Sequence, residues 1–328
     1  ASSLRTAQPF FILSLLVLIS LTLSMGFGTT EVGYRALWQC LTEQCERSIY
    51  HTILMDIRLP RVLMGFFAGF SLAAAGALMQ NVTRNPLADP YLFGIVAGAG
   101  LGATISGYLP VSMQAISLPL AAFCGALFAV SIVVLVLMHS QWRRIEHLLL
   151  AGVVVSFLLS AITSFMLYFG EAFASNRVMF WLMGSLARAD YTALMWTIPV
   201  ICVACFFALI NARRLDSLLL SDESAKTLGV NVNRVRLFTL IICAAMTAVI
   251  VSYCGGIGFV GLMIPHVVRP FFGLTTTKIL LSAGLIGGCF LVWIDVVART
   301  ILPGQEIPIG VITSVIGSIF FLFLMRKI

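Results

Sequence analysis

Residues 58–90 read RLPRVLMGFFAGFSLAAAGALMQNVTRNPLADP. From Val62 to Met79 this stretch carries no charge, and 61–80 matches the ~20 residues that an α-helix needs to cross a bilayer core. Arg58, Pro60 and Arg61 punctuate its start; Arg84, Pro86, Asp89 and Pro90 punctuate its end. The pattern recurs outward from there. Apolar runs lie near 9–29, 91–109, 115–138, 148–169, 191–211, 237–254, 258–270, 275–298 and 307–325. With 61–80 they make ten expected transmembrane helices that occupy most of the 328 residues. Hydrophobic residues are 60% and charged residues 10%, with a mean hydropathy of +1.05, so lipid is the main solvent of this chain.

We therefore read an all-α polytopic membrane protein with one transmembrane domain, 1–328, and no soluble domain. The run 258–270 is too short to cross as a straight helix and is expected to begin inside the protein, where a broken helix is tolerated. Residues 9–25 follow a basic residue, Arg5, as a secretory signal would, but no small-residue cleavage pattern follows; a first transmembrane helix is the better reading.

Charge sets the orientation. With the N-terminus inside, thirteen of the twenty Lys and Arg fall on the inner side, and Arg35, Arg47, Arg58, Arg61, Arg177, Arg188 and Arg299 fall outside. The bias places both termini in the cytoplasm. The net charge of +7 is then membrane topology, since no basic cluster on a soluble face suggests nucleic acid.

Chemistry-bearing motifs are sparse. Gly256, Gly258 and Gly261 match GxGxxG but sit between two apolar spans, with no preceding strand, so they read as a flexible break rather than a dinucleotide site. No Gly-Lys pair exists, hence no P-loop: any ATPase is another chain. The four histidines lack ligand spacing, so no metal site is expected; His266 is read as a packing residue. Asp295 and Arg299, four apart near the outer end of a span, suggest an ion pair that fixes a helix end. Cys40 and Cys45 share the first outer loop, where an oxidising compartment permits a disulfide; spacing alone leaves this open. The GxxxG series at Gly65, Gly69, Gly94, Gly98 and Gly102 is read as packing within one bundle. In the inner loop 212–236, Ser221 as N-cap and Gly229 as stop predict a short helix over 222–228 with Ala225 and Leu228 on its apolar side.

RLPR (58–61), GALMQ (76–80), RNPLADP (84–90), LLLAG (148–152), GGIGFVGLMIPHVVR (255–269), DVVAR (295–299) and EIPIGVIT (306–313) together resemble the permease subunits of ABC importers for iron–siderophore, haem and vitamin B12, the FecCD type. They run in family order over nearly the whole chain. The resemblance implies a type II ABC importer permease of ten helices in the bacterial inner membrane. Its partners would be a second permease subunit, identical or a close paralogue, two cytoplasmic ABC ATPases that hold ATP and Mg, and a periplasmic binding protein. The chain itself would bind no cofactor and catalyse no reaction. The implied cargo is a metal chelate: iron–siderophore first, with haem, cobalamin or molybdate as alternatives. An ion-coupled secondary transporter or a membrane-embedded enzyme needs mid-membrane carboxylates or convergent titratable groups, which the spans lack.

The resemblance also implies residue roles. Arg58, Arg61 and Arg299 would face glutamates of the binding protein, for which a guanidinium fork is suited. Ala225, Leu228 and Gly229 would sit in a groove of the ATPase. Gly152, Ser156, Ser160, Thr163 and Ser164 on the fifth span, with Ser314 and Ser318 on the last, would line the pathway. Ile145, Glu146 and His147 would form the cytoplasmic gate, although they depart from the small hydroxylated residues of the vitamin B12 permease.

Overall fold

The computed structural model describes residues 2–28, 33–42, 49–139 and 145–326, and all regular structure among them is helical. In chain order the α-helices are α1 Ser2–Ser24, α2 Tyr34–Leu41, α3 Ile49–His51, α4 Leu59–Thr83, α5 Ile95–Gly107, α6 Val111–His139, α7 Ile145–Phe169, α8 Ala172–Leu182, α9 Tyr191–Ile210, α10 Ala212–Leu220, α11 Asp222–Thr227, α12 Val232–Cys254, α13 Val260–Phe272, α14 Thr276–Thr300 and α15 Ile309–Met325. A π-helical stretch, Thr52–Arg58, joins α3 to α4, and a 3-10 turn, Pro90–Phe93, leads into α5.

Each of the ten expected apolar runs overlaps a helix. Six helical segments are long and apolar enough to cross a membrane: 49–83, 117–139, 147–169, 191–210, 232–254 and 276–300. Pro9–Ser24, Ile95–Gly107, Val260–Phe272 and Ile309–Met325 are shorter apolar helices. The segments that read as loops hold more structure than expected. The loop 30–57 contains α2, α3 and most of the π stretch, 170–190 contains α8, and 212–236 contains α10 beside the expected α11.

Helix α4 is the axis of the bundle. Its most apolar window is 78% buried, against 28% for α6, and it packs on α9, α12, α13 and α14. Small residues make this possible. Ala73, Ala74, Ala75 and Ala77 are fully buried. A Cβ on Gly69 would lie 2.1 Å from the Gly287 carbonyl oxygen of α14, so α4 and α14 touch backbone to backbone. The stripe on α5 works likewise: a Cβ on Gly98 would lie 2.2 Å from Gly125 O of α6. These motifs therefore pack this chain against itself, as the sequence reading has it.

The glycine-rich segment after α12 is irregular backbone inside the protein. Gly255 and Phe259 adopt positive φ of 72° and 67°, and Tyr91 Oη accepts from the Ile257 amide at 3.1 Å. Helix α13 begins there, level with Gly76 of α4, whose Cβ would clash with Gly261 O. The broken start of this helix agrees with the reading of 258–270, and among the described residues there is no strand for a dinucleotide fold.

Candidate functional site: the two ends of the bundle

At one end, the starts of α4 and α15 meet the end of α14. Arg61 Nε donates to both Asp295 oxygens at 3.1 and 3.0 Å, and Nη2 donates to Asp295 Oδ1 at 2.8 Å. Nη1 and Nη2 reach Glu306 Oε1 and Oε2 at 2.7 and 3.0 Å. The Arg61 fork is thus filled by two carboxylates of its own chain. Arg299 pairs with Asp295 at 3.7 Å, the i,i+4 pair expected from sequence, and donates to Ser24 O at 2.8 Å. Arg58 donates to Met25 O at 2.8 Å. Arg58 and Arg299 therefore satisfy carbonyls at the C-terminus of α1, where the helix dipole is negative and the last carbonyls lack intrahelical donors.

All three arginines are buried, and so is Asp295. Sequence reading expects outward-facing guanidiniums; the structure turns them inward, and the exposed surface above them is the turn 301–306. Asp295–Arg61 was not legible, because the partners lie 234 residues apart. Glu306 lies within the quoted EIPIGVIT segment, but nothing in the sequence marked it as a partner.

At the other end, helix α11 has the expected caps. Ser221 Oγ accepts from the Ser224 amide at 2.9 Å. The Gly229 amide donates to Lys226 O at 2.9 Å and the Val230 amide to Ala225 O at 3.0 Å, a double closure that needs the positive φ of 76° at Gly229. The predicted apolar side is split, however. Ala225 is fully buried in the bundle, while Leu228 is 68% exposed, as is Leu220 at 74%. A six-residue helix has too few turns for periodicity to say which residue faces inward.

Polar links absent from the sequence reading fasten this segment. Asp222 pairs with Arg84 and with Arg236, both at 2.8 Å. Arg84 ends α4 in the left-handed conformation and Arg236 lies in the first turns of α12. Asp216 on α10 accepts from the Thr276 amide at 2.7 Å and so caps α14. Nearby, Asp89 in the loop between α4 and α5 is buried and accepts from the Tyr91 amide at 2.8 Å. Burial pushes its carboxyl up to about 6, opposed in part by that amide.

The expected pathway residues fall into two groups. Ser160, Ser164 and Ser318 are exposed, Ser156 and Ser314 are half-buried, and Gly152 and Thr163 are buried. Gly152 is a packing position: its Cβ would lie 1.9 Å from Leu92 O. Ser156 and Thr163 spend their hydroxyls on Gly152 O and Leu159 O of their own helix. For the gate, His147 is exposed, whereas the side chains of Ile145 and Glu146 lie outside the described residues. His266 packs on the rings of Phe320 and Phe321, as a packing residue should. Cys40 is disulfide-bonded, but the expected partner Cys45 lies outside the described residues. No group of three metal-ligating side chains occurs among the described residues.

Residues 15–327 match the model of the FecCD transport family. The chain is 35% identical over 327 residues to the hemin transport system permease protein HmuU of Yersinia pestis, covering 98% of this chain and 96% of that one. It is 40% identical over 274 residues to the cobalamin import system permease protein BtuC of Halobacterium salinarum, covering 84% and 73%. Against the Fe(3+) dicitrate transport system permease protein FecD of Escherichia coli it is 35% identical, covering 93% and 94%. A solved inward-facing structure described as of the metal-chelate ABC transporter type superposes with a TM-score of 0.87 at 27% identity, over 98% of this chain and all of that one. The buried helical axis and this similarity over the full length agree: the chain belongs to the FecCD transport family and is a multi-pass permease subunit of an ABC importer.

Proposed function

We propose that this chain forms half of the membrane core of an ATP-driven importer that carries a metal chelate into the cytoplasm. It pairs with a second copy or a close paralogue and rests on two cytoplasmic ABC ATPases, which hold ATP and Mg. A periplasmic binding protein delivers the cargo. Both termini face the cytoplasm, so the Asp222 end is the inner end and the Arg61 end the outer. Ferric siderophore is the first cargo, with haem, cobalamin and molybdate behind it. Hemin, cobalamin and Fe(3+) dicitrate, for which the three relatives above are named, share a metal held by a chelator.

The observation that carries the reading is α11. It presents Leu228 outward while Asp222 ties it to α4 and α12. An exposed leucine on a short capped helix suits a groove in another protein. Force applied there reaches the central helix through Arg84 rather than dissipating in a loop. Leu228 and Gly229 are the contact in this proposal, and Ala225 is the seat of the helix. Arg58, Arg61 and Arg299 hold the outer docking surface in place. Ser160, Ser164, Ser314 and Ser318 face the pathway between two subunits, and 145–147 gate its inner end.

The test is ATPase activity of the reconstituted complex with cargo-loaded binding protein. Leu228→Ser should leave basal hydrolysis intact and abolish its stimulation; undiminished stimulation and uptake in this variant would count against the coupling role.

A further inference from the structure

A cleft of about 940 Å³ opens on the flank of the bundle near the Arg61 end. Helices α6 and α9 form its walls. Both pack on α12, which with α5 makes the floor. The floor is dry: Ala103, Val249 and Ser252 are buried, and the Ser252 hydroxyl is spent on Val249 O at 2.8 Å. The roof is α8 and the turn after it, which is pinned to the end of α12 by the Ser185 amide donating to Cys254 O at 2.8 Å. This roof carries Arg177 and Arg188, both exposed and both lining the cleft. Asp190 lines the same rim, where its carboxylate caps α9 by accepting from the Ala193 amide at 2.7 Å, so the rim carries two guanidiniums and one carboxylate.

The cleft is polarised, with an apolar interior and, at one rim, two guanidiniums against one carboxylate, an excess of one positive charge. Its volume is at the upper end of the ~300–1,000 Å³ of small-molecule sites. Outside the cleft the same two walls expose large apolar side chains, Phe128 at 54% on α6 and Met195 at 73% on α9, the surface expected of helices that meet lipid hydrocarbon. An apolar hollow of this size left empty would forfeit the dispersion contacts of its whole lining. We propose that the cleft binds one anionic phospholipid of the surrounding membrane. An acyl chain lies on the α5–α12 floor, and the headgroup phosphate is held by Arg177 and Arg188, as basic pockets between transmembrane helices hold anionic headgroups. The bound lipid fills the space beneath α8 and props that helix against α6 and α9.

The test is native mass spectrometry of the delipidated permease titrated with phosphatidylglycerol or phosphatidylcholine of the same chains. The wild type should bind one phosphatidylglycerol per chain at least about tenfold more tightly than phosphatidylcholine. The R177Q/R188Q pair, both at exposed positions, should bring the two lipids to equal affinity. Val200→Trp, which fills the cleft from α9, should remove binding of both. Equal affinity of the two lipids for the wild type, or unchanged phosphatidylglycerol preference in R177Q/R188Q, would overturn the proposal and leave only bulk membrane lipid or detergent in the cleft. Should Val200→Trp fail to fold, the surface pair alone decides.

Discussion

Arg61→Ala tests whether Arg58, Arg61 and Arg299 are struts of the bundle or hands held out to a partner. Removing this side chain leaves Asp295, which is 1% exposed, with Arg299 at 3.7 Å as its remaining cation. Breaking one partner out of a buried pair costs about 3–5 kcal/mol, because the survivor keeps its desolvation penalty without its compensation. Asp295→Ala should cost a similar amount: Arg61 then keeps Glu306, but Arg299 loses its acid. The double variant should fall short of the sum by about 2–3 kcal/mol, since the second deletion removes a charge already unpaired. Glu306→Gln should cost about 1 kcal/mol, because the Glu306 side chain is 39% exposed and water can replace its partner. Equilibrium unfolding of the detergent-solubilised chain, read by tryptophan fluorescence, gives all four values. Strict additivity of Arg61→Ala and Asp295→Ala, or a loss below about 1 kcal/mol for Arg61→Ala, would refute the strut reasoning.

Gly98→Val should destabilise by about 2–3 kcal/mol, because its Cβ would meet the Gly125 carbonyl at 2.2 Å and backbone cannot yield. Gly100→Ala, which meets only the tip of Leu182 at 3.1 Å, should cost clearly less in the same unfolding assay. Asp89, raised from 3.8 to about 6, contributes stability that is fully present below about pH 4 and lost as pH rises past 6. The difference is about 2 kcal/mol between pH 4 and 7. Asp89→Asn should flatten that dependence while keeping the cap on Tyr91, and an unaltered pH slope would argue against it. Gly229→Ala should cost about 1 kcal/mol from its positive φ alone, so it reports on folding as well as coupling. Leu228→Ser, at an exposed position, should reduce transport with no more than about 0.5 kcal/mol change in stability, measured as uptake beside unfolding.

The sequence exposed what depends on local chemistry. Apolar length located the helices, since nothing between Val62 and Met79 interrupts the run. Ser221 and Gly229 bracketed α11, because capping is decided within a few residues. The Asp295–Arg299 pair was visible at one-turn spacing. What the sequence hid depends on which distant elements meet. The second and closer partner of Asp295, Arg61, lies on the central helix, and the hub Asp222 draws its arginines from positions 138 and 14 residues away. Whether a side chain points into the bundle is equally non-local, which is why Ala225 and Leu228 were grouped and the structure separates them. The helices inside the loops, α8 and α10, escaped because they are short, 11 and 9 residues, and carry no long apolar run.

The most direct test of the account is uptake into proteoliposomes holding this permease and its ABC ATPase, with ATP enclosed on the ATPase side and the binding protein outside, loaded in turn with ferric siderophore, haem and cobalamin. ATP-dependent accumulation of one chelate, lost when the binding protein is omitted, is the predicted result. Accumulation that needs no ATP and follows a proton or sodium gradient instead would contradict it.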